Sequence, residues 1–259
     1  MKSYLFLTVF LSVAAFAGIT PEAMEQWKKR DNQENLTKAV QLIEASPQDL
    51  ETLSYLTRGY FLLSDTYTKS DDEKLKLFSK ARDFGEKGME TNPEYKKLKG
   101  DDIKKAINAL TLREIDVLYW SAASLGKWAK ANGIMSSLKY KDQILTMIRK
   151  VESLKPDYFF GAVDRYWGGF YAIAPGIAGG DMKKSKEHFK KAMKMAPENL
   201  GTKVFYAEVY LTKEDEEKEF TEVLNEVLAA PLGPEEIAPD NVMEKRKAAD
   251  LLKRKKDLF

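Results

Sequence analysis

The chain contains no cysteine and a single histidine. The first absence removes disulfides, thiolate metal sites and a lipid-modified cysteine at the start of a mature chain, so the fold rests on packing alone. The second removes the usual zinc sets, because one imidazole without thiolates supplies too few ligands. An excess of one charge sign is missing as well, since 42 Lys and Arg face 40 Asp and Glu. The chain therefore has no global field of the kind that recruits nucleic acid or an anionic membrane. Long apolar runs are also missing, except at the very start.

That exception is Tyr4 to Phe16, which follows Lys2 and leads into Ala15-Phe16-Ala17. It falls well short of the ~20 residues that a membrane-spanning helix needs. A positive start, a short apolar run and a small-x-small site make an export signal, so residues 1–17 are expected to be cleaved and the mature chain to begin near Gly18. Export without disulfides fits a bacterial periplasm, with one soluble domain expected over 18–259.

What the sequence has in quantity is helical periodicity. Ile115, Leu118, Tyr119, Ala122, Leu125 and Ala129 share one helical face, a spacing that a strand's period of two would not give. The chain also repeats itself. A tetratricopeptide repeat is a helical hairpin of about 34 residues, whose second helix reads A-x3-F-x2-A before a proline. Ser185, Phe189, Ala192 and Pro197 fit that spacing, and so do Ala81, Gly85, Gly88 and Pro93, and Ile144, Ile148, Val151 and Pro156. Asn35, Ala39, Leu42 and Pro47 add a half repeat. First helices follow around Tyr55 and Gly59, Leu125 and Gly126, Trp167, Gly168 and Tyr171, and Tyr206, Ala207 and Tyr210, the small residue marking where paired helices approach.

This register predicts an all-α fold, a TPR-like helical hairpin solenoid of about nine to twelve helices. Between Pro93 and Gly126 it leaves about 23 residues beyond the repeat, room for an inserted helix. Extra length inside the hairpins is assigned to long turns, and the basic tail from Glu244 to Phe259 to a solvated cap over the last repeat.

No catalytic set emerges. His188 precedes the packing aromatic Phe189 on a lysine-rich helix and reads as a half-exposed surface residue. Glu214, Asp215, Glu216 and Glu217 read as solvated charge between helices. Gly176, Gly179 and Gly180 before Asp181 invite a phosphate-loop reading, but no strand precedes them, no Gly-Lys-Ser/Thr follows, and the aspartate would repel phosphate. They read instead as a turn, with Asp181 as the helix cap. Neither an enzyme, a cofactor nor a metal is expected.

The aromatics are the unusual feature. Tyr158, Phe159, Phe160, Tyr166, Trp167, Phe170 and Tyr171 crowd one helix, and Tyr119, Trp120 and Trp128 lie in the hairpin before it. One helix face cannot bury them all, so the excess is expected to line a cavity, with Arg165 as the charged group that pairs with a carboxylate or orients an anionic ligand. The candidate ligand-binding residues are Trp120, Trp128, Arg165, Tyr166, Trp167, Phe170 and Tyr171.

The stretch from Tyr166 to Leu211 resembles the TatT family, the tetratricopeptide T component of periplasmic TRAP transporters. The likeness is carried by the aromatic-Gly pair before Tyr171, by Pro175, and by Gly179-Gly180-Asp181 with Ser185 and Phe189. The helix from Thr202 to Leu211, the WSAASL segment from Trp120 to Leu125, and Glu219-Phe220 extend it over roughly residues 35 to 235. The resemblance implies a helical protein that associates with a TRAP-type periplasmic solute-binding protein. It also implies a homo-oligomer, a trimer, with a pore or cleft suited to a small apolar or carboxylated ligand. Members of that family can be lipoproteins; this chain has no cysteine to lipidate, so a freely soluble periplasmic form is expected. The alternative is a general exported scaffold for envelope assembly with no small-molecule ligand.

Overall fold

The structure, a computed structural model, describes residues 18–259, and the expected export signal at 1–17 lies outside them. The described residues form fourteen α-helical segments and no strand. Helix starts follow the local chemistry. Thr20, Asn32, Asp49, Asp102 and Asp181 each accept a backbone N–H of the turn they precede, satisfying donors that have no partner inside the helix. Asp71 and Asp72 act differently: α4 begins at Asp71, so both lie within its first turn and favour it by charge.

The hairpins fall where the register places them. They are α3 (Leu50–Leu62) with α4 (Asp71–Met89), α7 (Ile115–Ala131) with α8 (Ile134–Leu154), α9 (Tyr158–Ile173) with α10 (Met182–Met195), and α11 (Leu200–Tyr206) with α12 (Glu217–Ala229). The N-terminal half repeat, α2 (Gln33–Glu44), has its own partner in α1 (Pro21–Lys28). The insertion folds as two short helices, α5 (Pro93–Leu98) and α6 (Ile103–Ala109), and α6 packs on α8. Together with α13 (Ala238–Lys253) and α14 (Lys255–Leu258), these raise the total above the expected number.

Two local expectations change. Extra length in the second full hairpin lies in its helices, 17 and 21 residues long, joined only by Asn132 and Gly133. Gly133, at φ 100°, makes that tight reversal possible. Gly126 is not the point of closest approach, because a Cβ there would meet nothing within 4 Å. Gly85 and Gly88 of α4 take that role against α7, where a Cβ would fall 2.0 Å from Ser121 Oγ and 2.5 Å from Val117 Cγ2.

The tail does more than cap. Ala248 and Leu251 of α13 pack in the last core with Phe189, Val204 and Phe220. Met243, one turn earlier, belongs to the first core with Trp27, Leu56 and Tyr60. Asp240 bonds Arg30 and Arg58, and Arg246 donates to Asp31 O and Tyr67. α13 thus joins the last hairpin to the first and closes the solenoid into a ring.

Candidate functional site

The seven candidate residues occupy separate places. Trp167, Phe170 and Tyr171 pack from α9 towards α8 and α10. The Trp167 ring lies 5.9 Å from both Tyr171 and Phe170, and its Nε1 donates to Glu152 of α8 at 3.3 Å. Tyr171 stacks on His188 of α10 at 5.5 Å. Trp128 is elsewhere, edge-on to Tyr140 at 5.8 Å and beneath the Arg82 guanidinium at 4.2 Å. Arg165 and Tyr166 lie on the interior side of α9, Arg165 close enough to act on Glu244, whereas Trp120 is buried in the core against Phe61, Tyr119 and Phe159. Burial pushes the Tyr166 hydroxyl above the ordinary phenol range.

His188 is held more firmly than a surface residue. Its Nδ1 lies 2.8 Å from Asp164 Oδ1, a carboxylate 2% exposed that Lys191 also reaches at 3.0 Å. Burial opposes ionisation of Asp164, but His188 and Lys191 outweigh it and keep the carboxyl below its usual range.

The start of α9 is the most strained backbone in the described chain. Phe159, Phe160 and Gly161 have φ of 43°, 54° and 72°, a left-handed turn that phenylalanine ordinarily avoids. Tertiary contacts hold it. Tyr158 donates to Asp116 at 2.6 Å, Arg165 donates to Phe160 O at 3.2 Å, and a Cβ on Gly161 would lie 3.3 Å from Ala192. The turn sets Phe159 edge-on to Trp120 at 5.5 Å and under the Arg58 guanidinium at 4.7 Å. Arg58 also faces Trp27 at 5.5 Å and Trp120 at 5.1 Å, an aromatic cage that favours a cation.

Facing these rings is a charged inner wall. α3 continues into a π-helical turn, Leu63–Tyr67, and α11 into another, Ala207–Leu211. Such turns recur at functional sites because the extra residue per turn re-aims side chains. Here one carries Asp65 and the other Glu208. Asp65 pairs with Lys127 of α7 at 2.6 Å, and Glu208 with Lys247 of α13 at 2.6 Å. Burial would lower the Lys247 pKa, but Glu208, Glu244 and Asp65 reverse that and raise it. Although these groups lie deep in the ring, Asp65 keeps 31% and Lys247 38% of its side-chain surface open to water. Water therefore reaches the inner wall.

Asp240 anchors the other end of α13. It accepts from Arg30 Nε at 3.2 Å and from Arg58 at 3.0 and 3.1 Å, and Arg30 Nη2 binds it as well. Burial alone would raise its carboxyl; Arg58 and Arg30 hold it below the usual range.

The sequence reading missed Arg58, Asp65, Lys127, Glu208, Asp240, Glu244 and Lys247. Three of them carry a signal, because Asp240, Glu244 and Lys247 recur at helical spacing on one face together with Met243. Two open hollows among the described residues lie elsewhere. One, of about 400 Å³, is lined by Gln48, Lys87 and Lys96, and one, of about 770 Å³, by Gln26, Gln33 and Gln41. Among the described residues no group of three or more His, Asp or Glu could hold a metal ion.

Helical hairpins closed by a C-terminal helix define an all-helical solenoid, in which no described helix is long and apolar enough to cross a membrane. The chain belongs to the TRAP transporter T-component family, whose model matches residues 41–259, from α2 to the C-terminus. Membership makes it a component of TRAP transport. No curated protein matches the chain.

Proposed function

We propose that the chain is an exported, tetratricopeptide-like accessory protein of the periplasm. It docks on a TRAP-type solute-binding subunit, assembles as a trimer, and passes a small apolar or carboxylated ligand through the ring interior. It serves uptake rather than catalysis. Membership of the T-component family over residues 41–259 carries this reading.

The interior supports the ligand route. Among the described residues Arg165 is bonded only to Phe160 O and to Thr202 Oγ1, at 3.2 and 3.3 Å, and its guanidinium keeps further donors for a carboxylate. Tyr166 and the Phe159–Phe160 turn supply apolar surface beside it, and Trp120 backs Phe159 edge-on. Trp167, Phe170 and Tyr171 brace α9 from behind, and Trp128 braces α7. The test is affinity capture from an envelope extract with the tagged chain as bait. Recovery of a TRAP-type solute-binding subunit supports the reading. Recovery of outer-membrane assembly factors in its place overturns it in favour of a general envelope scaffold.

A further inference from the structure

The inner wall contains a pair of opposite charges that the fold does not neutralise. Six charged groups face one another there: Asp65, Glu208 and Glu244 against Lys127, Lys247 and Arg165. Four of them form the two 2.6 Å pairs already described. Glu244 has no hydrogen bond or ion pair among the described residues, and Arg165 reaches no carboxylate. Both converge on the first turn of α11. Arg165 donates to Thr202, and the Glu244 carboxylate lies against Gly201, where a Cβ would come within 3.0 Å of its Oε1. The two are neighbours at successive residues, yet they do not bond each other.

That arrangement is unfavourable. Burial pushes the Glu244 carboxyl up; Lys247 opposes this, while Asp65 and Glu208 add to it. Leaving a deep carboxylate unpaired carries a desolvation penalty that the other inner-wall acids avoid by pairing. The imbalance also selects. A purely anionic ligand that satisfies Arg165 leaves Glu244 uncompensated, and a purely cationic one leaves Arg165 uncompensated. A ligand with both charges completes the wall.

We propose that Arg165 and Glu244 form a binding subsite for a small amphoteric molecule, its carboxylate on the Arg165 guanidinium and its ammonium on the Glu244 carboxylate. Tyr166 flanks the connecting carbon chain, and Lys247 keeps its pair with Glu208. The subsite rests on the proposed ligand route through the interior and names the polar ends of what travels there.

Calorimetric titration of the purified chain with glycine, γ-aminobutyrate and ε-aminocaproate, and with butyrate and caproate as partners lacking the amine, tests this. One member of the amino-acid series is expected to bind saturably, with the matched carboxylate at least about tenfold weaker. Glu244→Gln should bring the amino acid down to the carboxylate's affinity, and Arg165→Lys should weaken both. Glu244→Gln removes an unpaired deep charge, so the variant folds, and its thermal melt verifies that. Caproate binding as tightly as ε-aminocaproate would overturn the subsite and leave the carboxylate route standing. So would discrimination that survives Glu244→Gln. Saturation by none of the probes overturns the subsite, whereas the docking reading is decided separately by affinity capture.

Discussion

Replacing Asp240 by asparagine tests how the ring is closed. Asp240 is the one acid between two guanidinium groups, Arg30 at 3% and Arg58 at 12% side-chain exposure. Asparagine has nearly the same shape but no charge, and its amide cannot accept at both oxygen positions. The variant therefore leaves two buried cations facing each other and weakens several charge-assisted bonds at once. Breaking a buried ion pair from one side costs about 3 to 5 kcal/mol. Arg58 keeps its Trp27, Trp120 and Phe159 rings, which offset part of that loss, so about 3 kcal/mol is the figure to expect. For a chain of this size that is a fall in Tm of roughly 6 to 12 °C. The loss should also be local. Amide hydrogen exchange in α13 and α1 should rise well before exchange in α9 and α10, because Asp240 ties the tail to the first hairpin. A Tm within about 2 °C of the parent, or exchange rising evenly along the chain, would refute closure through Asp240.

Three further predictions follow from the same contacts. Gly168→Ala sets a Cβ 2.8 Å from the fully buried Phe189 ring and should cost about 1 to 3 kcal/mol, whereas Gly126→Ala meets open space and should stabilise α7 by about 0.5 to 1 kcal/mol; urea melts of the two variants should move in opposite directions. Glu244→Gln should raise Tm at neutral pH. Its carboxyl is pushed above the ordinary value of 4.5, so the ionisation it penalises sets in above that pH, and the gain should vanish in melts run below it. Asp65, Asp164 and Asp240 are held below their ordinary value of 3.8, so their stabilisation is complete above that pH and fades as pH falls through their lower folded values. An acid titration followed by circular dichroism should show unfolding in that range, and the Asp240→Asn variant should show a weaker pH dependence there.

The hairpin register was legible because it is a local pattern enforced by close packing. Ser185 and Phe189 are fully buried, as is Ala81, and the prolines after each second helix fall at the ends of α2, α4, α8 and α10. The PGIAGGD block was legible for the same reason: Gly179 takes φ 102°, a Cβ on Gly180 would lie 1.8 Å from Ala174 O, and Asp181 caps α10. What the sequence hid is non-local. Arg30 and Asp240 are 210 residues apart, and no repeat spacing relates them. The inner wall draws on α3, α7, α9, α11 and α13 at once, so no single helix shows it as a motif. The left-handed turn at Phe159 and Phe160 was equally hidden, since neither residue favours positive φ and only its tertiary contacts hold it there. The excess of rings lies mostly on α9, where most of them brace the helix against α8 and α10, and Arg165 with Tyr166 is what it presents to the interior.

A ligand route through the ring requires an interior open to solvent, and the absence of native cysteine makes that directly measurable. A single cysteine at Glu244 can be compared with one at Lys190, an exposed position on α10, by the rate at which each folded protein reacts with a small charged methanethiosulfonate reagent. The account predicts that Glu244→Cys is modified in the folded state at a rate approaching that of Lys190→Cys, and that a bulky thiol reagent discriminates strongly between them. Modification of Glu244→Cys only after denaturant is added would contradict it.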